Sequence, residues 1–345
     1  MAKNPINVIS CRGAVKFTSL IFEHLKAANS KAKMINTEFV TFANGEIKCT
    51  INESVRGNDV FIVQDVTNES IGSINDNIVE LLATIDAVNH ASAEEVNLVL
   101  PTFPYARQHK KKGREGLTAA MWCHIMENMG VRRIITLDIH SREIQNAFSH
   151  TIMENLHASY YLVKAMKEDG VDFNNLIVVS PDSGAVERNK YFAVNLKRPL
   201  AVIYKERDYS KSGNDNIVDM KLIGDIDHAP ILITDDMIDT AGTLLKACTF
   251  LKEKGAGSIY IAASLAFLNG DAMINIEEAQ DKEIITKIYT TNATYRTDNI
   301  IKDSNLYVIA DVSELFAQSM IHINNGTSLS NVLESADNIK RLLGS

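Results

Sequence analysis

Short apolar, β-branched runs recur along the whole chain. They are Val60–Val63, Leu98–Leu100, Ile134–Leu137, Leu176–Val179, Leu200–Ile203, Ile231–Thr234, Ile259–Ala262 and Tyr307–Ala310. Runs this short without polar alternation fit strands buried on both faces. Between them lie helical patterns. Ile78, Leu81, Leu82, Ile85 and Val88 follow a 3.6-residue period, as do Leu244, Leu245, Cys248 and Leu251. Strand–helix alternation implies parallel α/β sheets covered by helices. Eight or more strands are many for one small sheet, and 345 residues allow two domains at roughly 100–200 residues each. The expected division is 1–157 and 158–345. The last stretch, ~20 residues long on a helical pattern, would pack back on the first domain or extend as a helix.

Composition removes several functions. Hydrophobic residues make up 46% of the chain, enough for a core, so general disorder is excluded. The balance of 35 basic and 43 acidic residues, net −8, argues against a nucleic-acid partner or an anionic membrane surface. A local basic cluster still suits a phosphorylated substrate. Cys11, Cys49, Cys123 and Cys248 are scattered, without metal-ligand spacing or a disulfide framework, which points to a reducing compartment. There is no signal-peptide pattern. The longest apolar run, near Ile259–Leu268, is about half the ~20 residues that span a bilayer. A cytoplasmic protein is expected.

Three strands run into polar tails: Asp138-Ile139-His140-Ser141, Ser180-Pro181-Asp182-Ser183-Gly184 and Asp235-Asp236. Ligands of parallel α/β folds bind beyond the carboxyl ends of strands. Residues 231–243 carry the most information. A buried strand ends in two acids, then the small, hydroxyl-rich turn Asp239-Thr240-Ala241-Gly242-Thr243 opens a helix. Consecutive backbone N–H groups at a helix N-terminus cradle an anion. Asp235 and Asp236 are suited to accept hydrogen bonds from sugar hydroxyls, directly or through a metal. A phosphate beside a diol describes a ribose phosphate. An ordinary N-capped helix accounts for the turn alone, though less well for the turn together with the strand and paired acids. A Walker loop is absent, and Gly255-Ala256-Gly257 follows a helix and precedes a strand, so it is no dinucleotide fingerprint.

Residues 231–243 resemble the ribose-phosphate signature of the type I phosphoribosyltransferase fold. With further motifs the chain resembles the ribose-phosphate diphosphokinase (phosphoribosyl pyrophosphate synthetase) family, from about Asn7 to about Leu333. Phe42-Ala43-Asn44-Gly45-Glu46 resembles the family's adenine loop: a Phe stacks on a purine, while Asn44 and Glu46 read the base edge. Asn-Gly is also a common hairpin turn. Arg107-Gln108 resembles the family's ATP-binding pair. Asp138-Ile139-His140, with Ile144-Gln145, resembles the segment whose His lies at the ATP–metal site, here His140. Ser180–Arg188 resembles the pyrophosphate loop, with Asp182, Ser183, Gly184 and Ala185 facing phosphate and Asp182 holding Mg²⁺. Lys205 and Arg207 match the cations of a catalytic loop. They lie on the same side of an extended strand, and the polar stretch 208–219 that follows reads as a mobile loop.

The resemblance implies an α/β protein of two similar type I phosphoribosyltransferase-like domains, each a mainly parallel sheet flanked by helices. The first would bind ATP and the second ribose 5-phosphate. The implied activity is diphosphoryl transfer from ATP to the C1 hydroxyl of ribose 5-phosphate, giving 5-phosphoribosyl 1-pyrophosphate and AMP. Mg²⁺ would be held by His140 and Asp182. The implied assembly is a homo-oligomer, a dimer at minimum and a hexamer in the family's common form, with the adenine loop reaching a neighbouring subunit's site. Rival readings are a phosphoribosyltransferase and a non-catalytic regulatory homologue. The sequence also departs from the family pattern. His109 replaces a usual Asp, Gly116 a usual Pro and Ala185 the second loop Gly. Ser264-Leu265 replaces Thr-His, Asn89-His90 replaces a basic pair, and the basic loop before Arg114 is about one residue short. The turn Asn325–Ser330 resembles a segment that helps bind regulatory phosphate. With positive charge lost around it, weak or absent phosphate activation is expected.

Overall fold

A computed structural model describes residues 5–28, 31–111, 113–207, 217–296, 304–333 and 335–344. They form two compact units. The first contains β1 (Asn7–Ser10), α1 (Val15–Ala28), β2 (Lys33–Met34), β3 (Thr37–Thr41), β4 (Ile47–Ile51), β5 (Asp59–Val63), α2 (Ile74–His90), β6 (Glu95–Val99), α3 (Thr118–Asn128), β7 (Val131–Leu137) and β8 (Ile152–Leu156). Six strands make a parallel sheet in the order β2-β1-β5-β6-β7-β8. β3 and β4 form a separate antiparallel hairpin. Ile62, Leu98 and Ile134 face Leu81, Ile85 and Met126 in one core. α2 begins at a capping box: Asp76 N–H donates to Ser73 Oγ, and Ser73 N–H donates to Asp76 Oδ2. That satisfies two of the donors a helix start leaves open.

The second unit contains α4 (Ser159–Glu168), β9 (Ile177–Ser180), α5 (Val186–Leu196), β10 (Leu200–Arg207), β11 (Ile217–Ile223), β12 (Ile231–Ile238), α6 (Gly242–Glu253), β13 (Ile259–Ala266), α7 (Ala272–Asp281), β14 (Lys287–Thr291) and β15 (Tyr307–Ala310). Its seven-stranded sheet runs β11-β10-β9-β12-β13-β14-β15. All neighbours are parallel except the edge pair β10–β11. The order reverses between β9 and β12, which makes their carboxyl ends a topological switch point. Each of the eight apolar runs read from the sequence lies in or ends against a strand. The stretch read as a loop over 208–219 is different at its end: 217–219 belong to β11, paired with β10. Residues 208–216 lie outside the described residues.

The C-terminal part is shared between the two units. Residues 292–295 and 311–334 group with the first unit, and 335–345 with the second. The reason is burial. α8 (Ser313–Asn325) places Leu315, Phe316 and Met320 in the first unit's interior, with the Phe316 ring edge-on to Phe17 of α1 at 5.3 Å. After the short α9 (Ser330–Leu333), α10 (Ser335–Leu343) buries Ile339 against α4 and α5. Lys167 Nζ donates to the Leu342 carbonyl there. The terminal residues therefore serve both units in turn.

Candidate functional site

Two loops border the crevice at the β9/β12 switch point. β9 ends at Ser180, whose hydroxyl donates to the Asp182 carbonyl at 2.7 Å. Asp182 Oδ1 then accepts the N–H groups of Gly184 and Ala185 at 2.9 and 3.1 Å. The carboxylate thus shapes its own loop through one oxygen. Ala185, where the sequence departs from the expected glycine, has φ −91° and ψ 2°. That conformation is open to any L-residue, so the added methyl imposes no strained backbone. Ser183 lies in the same turn, exposed to solvent.

On the other side, β12 carries Asp235 and the buried Asp236. The Asp236 N–H donates to Asp235 Oδ1 at 2.9 Å. Burial pushes the Asp235 carboxyl well up, and its hydrogen bond and charge repulsion with Asp236 push it further, while Arg188 opposes the shift. Asp239 Oδ1 accepts from Asn269 Nδ2 at 2.7 Å, which holds the turn in place. Thr240 sits at its exposed apex. Ala241 adopts φ +61°, ψ −10°, a left-handed conformation that costs a non-glycine residue about 1–2 kcal/mol. Such strain is retained where surrounding structure imposes it. Here it turns the chain from the end of β12 into α6, which opens at Gly242 and Thr243.

Lys205 pairs with Met220 near the end of β10. Its ammonium is enclosed by protein, and its charge acts on the Cys248 thiol of α6. Burial pushes that thiol up to about 12, against the pull of Lys252 and Lys205. The backbone of Arg207 continues β10, but its side chain lies outside the described residues.

In the first unit, the loops after the adjacent strands β6 and β7 meet. Arg107 and Gln108 are exposed on the first of them. The Gln108 N–H donates to the Tyr105 carbonyl at 2.8 Å. The His109 ring meets His140 edge-on at 5.4 Å. His109 Nδ1 lies 3.1 Å from the Ala106 carbonyl. Burial lowers the His109 pKa, and the nearby His140 and Lys110 lower it further. Behind His140, Asp138 takes φ +41° and is fixed by His157 Nδ1 at 2.9 Å. Asn155 Oδ1 accepts the Ile139 N–H at 2.8 Å. Sequence reasoning missed Asn155 and His157, since only the β7–β8 pairing brings them beside the Asp138–His140 turn.

The Phe42–Glu46 segment is the tip of the β3–β4 hairpin. The Phe42 N–H donates to the Glu46 carbonyl, and the Gly45 N–H to the Phe42 carbonyl, both at 2.8 Å. Gly45 takes φ +88°, which a side chain would resist. Asn44 Oδ1 accepts the Glu46 N–H at 3.2 Å, so part of Asn44 holds the turn. Arg12 anchors the hairpin, with Nη1 donating to Thr41 Oγ1 at 3.0 Å and Nε to the buried Glu80 at 2.5 Å. Phe42 remains 49% exposed.

The turn read as a regulatory-phosphate segment borders a hollow of about 460 Å³ with Arg133 and Glu154. Arg133 is a cation that sequence reasoning did not associate with the turn. Burial raises the Glu154 carboxyl while Arg133 draws it down. The Ser328 and Ser330 hydroxyls lie 2.8 Å apart.

Residues 6–130 match the family model described as the N-terminal domain of ribose phosphate pyrophosphokinase, and residues 155–293 match the phosphoribosyl transferase domain. The ribose-phosphate pyrophosphokinase of Caldanaerobacter subterraneus is 35% identical over 334 residues, covering 95% of this chain and 97% of the relative. The enzyme of that name from Helicobacter pylori is 37% identical, covering 84% of this chain and 85% of the relative. Among solved structures, phosphoribosylpyrophosphate synthetase from Mycobacterium smegmatis superposes with a TM-score of 0.81 at 27% identity, over 94% of this chain and 100% of that one. No helix among the described residues is long and apolar enough to cross a membrane.

Proposed function

The chain belongs to the ribose-phosphate pyrophosphokinase family, and we propose on that premise that it moves the β,γ-diphosphoryl group of ATP to the C1 hydroxyl of ribose 5-phosphate. The observation that carries the residue assignments is the crevice between β9 and β12, with a phosphate-type loop on one side and paired carboxylates on the other. Asp239, Thr240, Ala241, Gly242 and Thr243 take the 5-phosphate through backbone N–H groups and hydroxyls. Asp235 and Asp236 accept from the ribose hydroxyls and so aim C1. Ser183, Gly184 and Ala185 receive the diphosphoryl group. Phe42 stacks on adenine, with Asn44 and Glu46 at its edge. Arg107, Gln108 and His140 address the ATP phosphates.

The C1 oxygen forms a bond to the β-phosphorus, the bond from that phosphorus to the AMP oxygen breaks, and the proton of the C1 hydroxyl leaves to solvent. A loose transition state needs no strong general base. The work of the protein is positioning and charge neutralisation. Lys205 and Arg207 stabilise charge on the transferred group and the departing AMP oxygen. Lys205 does so after its ammonium leaves the enclosed position. The chemistry suits Mg²⁺, a hard cation that the carboxylate of Asp182 would hold together with water and phosphate oxygens. When bound, Mg²⁺ supplies neutralisation of phosphate charge.

The working assembly is a homo-oligomer, a dimer at minimum, placed in the cytoplasm. A coupled assay tests the reading. AMP must appear only when ATP, ribose 5-phosphate and Mg²⁺ are all present. Absence of AMP from a folded protein would identify a regulatory homologue instead.

A further inference from the structure

We infer that Asn189 is a positioning residue that sets the pyrophosphate loop at its working distance from the ribose-binding strand. β9 and β12 pair only at Ile177↔Ile231 and Val178↔Leu232. Beyond that the strands part, and the opening becomes the crevice. At the point where backbone pairing ends, one side chain replaces it. Asn189, on the first turn of α5, is fully buried. Its Oδ1 accepts the Thr234 N–H at 2.9 Å and the Thr234 hydroxyl at 3.0 Å. Its Nδ2 donates to the Thr234 carbonyl and to the Ala185 carbonyl, both at 2.9 Å.

An amide side chain has two donor hydrogens and two acceptor lone pairs, and all four are used here. The four bonds join two segments with different duties. Ala185 closes the loop whose N–H groups are folded around Asp182. Thr234 immediately precedes Asp235 and Asp236. A continuous path thus runs from the Asp182 carboxylate through Ala185, Asn189 and Thr234 to the paired acids. No apolar residue reproduces it, and Asp at this position would turn two acceptors against the carbonyls. Asn189 touches no substrate in this arrangement. It fixes how far the diphosphoryl group lies from C1, a distance whose change by an ångström costs on the order of a hundredfold in rate.

The inference rests on the ribose-phosphate reading of the same crevice, and the experiment separates the two. Steady-state rates and ATP affinity are measured for the full-length parent, Asn189→Leu, Thr234→Val and Thr234→Ser, well below their melting temperatures. Asn189→Leu is expected to lose on the order of a hundredfold in kcat and to raise KM for ribose 5-phosphate. Thr234→Val, which removes one of the four bonds, is expected to lose several-fold in kcat/KM, and Thr234→Ser to recover it. Melting temperature alone would fall if Asn189 merely supported the fold. Unaltered kcat and KM in folded Asn189→Leu overturn the inference. If that variant does not fold, Thr234→Val and Thr234→Ser decide, and parental kinetics in both overturn it. A parent that makes no AMP overturns the functional reading itself.

Discussion

Replacing Phe42 with Ala isolates the adenine contact from the fold. The ring stands at a hairpin tip with 49% of its surface exposed. An aromatic side chain presents about 150–250 Å², so about 75–125 Å² of Phe42 faces solvent. Stacking covers one face, roughly half of that, ~40–60 Å². At about 25 cal/mol per Å² this is worth about 1–1.5 kcal/mol. The base loses a similar area, which brings the pair to about 2–3 kcal/mol, the upper part of the ~1–3 kcal/mol range for base–aromatic stacking. One factor of ten corresponds to about 1.4 kcal/mol. Phe42→Ala should therefore weaken ATP binding roughly 30- to 150-fold. The turn itself is held by the Phe42–Glu46 and Gly45–Phe42 backbone bonds, which Ala retains, so stability should move by less than about 0.5 kcal/mol. Isothermal titration with ATP and thermal melting on the same preparation give both numbers. An ATP Kd within twofold of the parent, at unchanged melting temperature, would refute the adenine assignment.

Asp235→Asn should stabilise the protein while abolishing turnover. Because its carboxyl is raised in the fold, ionising it opposes folding. That penalty is absent below the unfolded value of about 4 and grows as pH rises through the raised value. The variant should melt above the parent at neutral pH, with the difference vanishing in acid, and a lower melting temperature at neutral pH would contradict the account. Gly242→Val should remove ribose 5-phosphate binding and leave ATP binding intact, as read by calorimetry with each substrate; retained ribose 5-phosphate affinity would displace the phosphate site. Lys205→Ala should lower kcat by ~10²–10³ with KM for ribose 5-phosphate little changed, and an unchanged kcat would remove its role. Initial rate against inorganic phosphate at subsaturating ATP should be nearly flat. Arg133 brings one cation to the Ser328–Ser330 hollow, but Glu154 opposes it; strong sigmoidal activation would show that other residues rebuild the anion site.

The α/β class and eight of the strands were legible in the sequence because each is a local pattern. Apolar runs such as Ile231–Thr234 specify buried strands, and Asp239–Thr243 specifies a helix start by its own residues. Family motifs then supplied substrate and reaction. Tertiary structure decided what depends on residues distant in sequence. The stretch 311–334 joined the first unit because Phe316 packs on Phe17, while Ile339 is buried with the second. His109 acquired a meaning when the β6 and β7 loops brought it to His140. Asn155 and His157 reached the Asp138–His140 turn through strand pairing. Arg133 reached the Ser328 turn across the chain. Asn189 reads in sequence as one polar residue in a helix, and only the parting of β9 from β12 gives its four hydrogen bonds their partners. A local pattern records what a residue prefers; its neighbours across the chain are set when burial and strand pairing close the sheet.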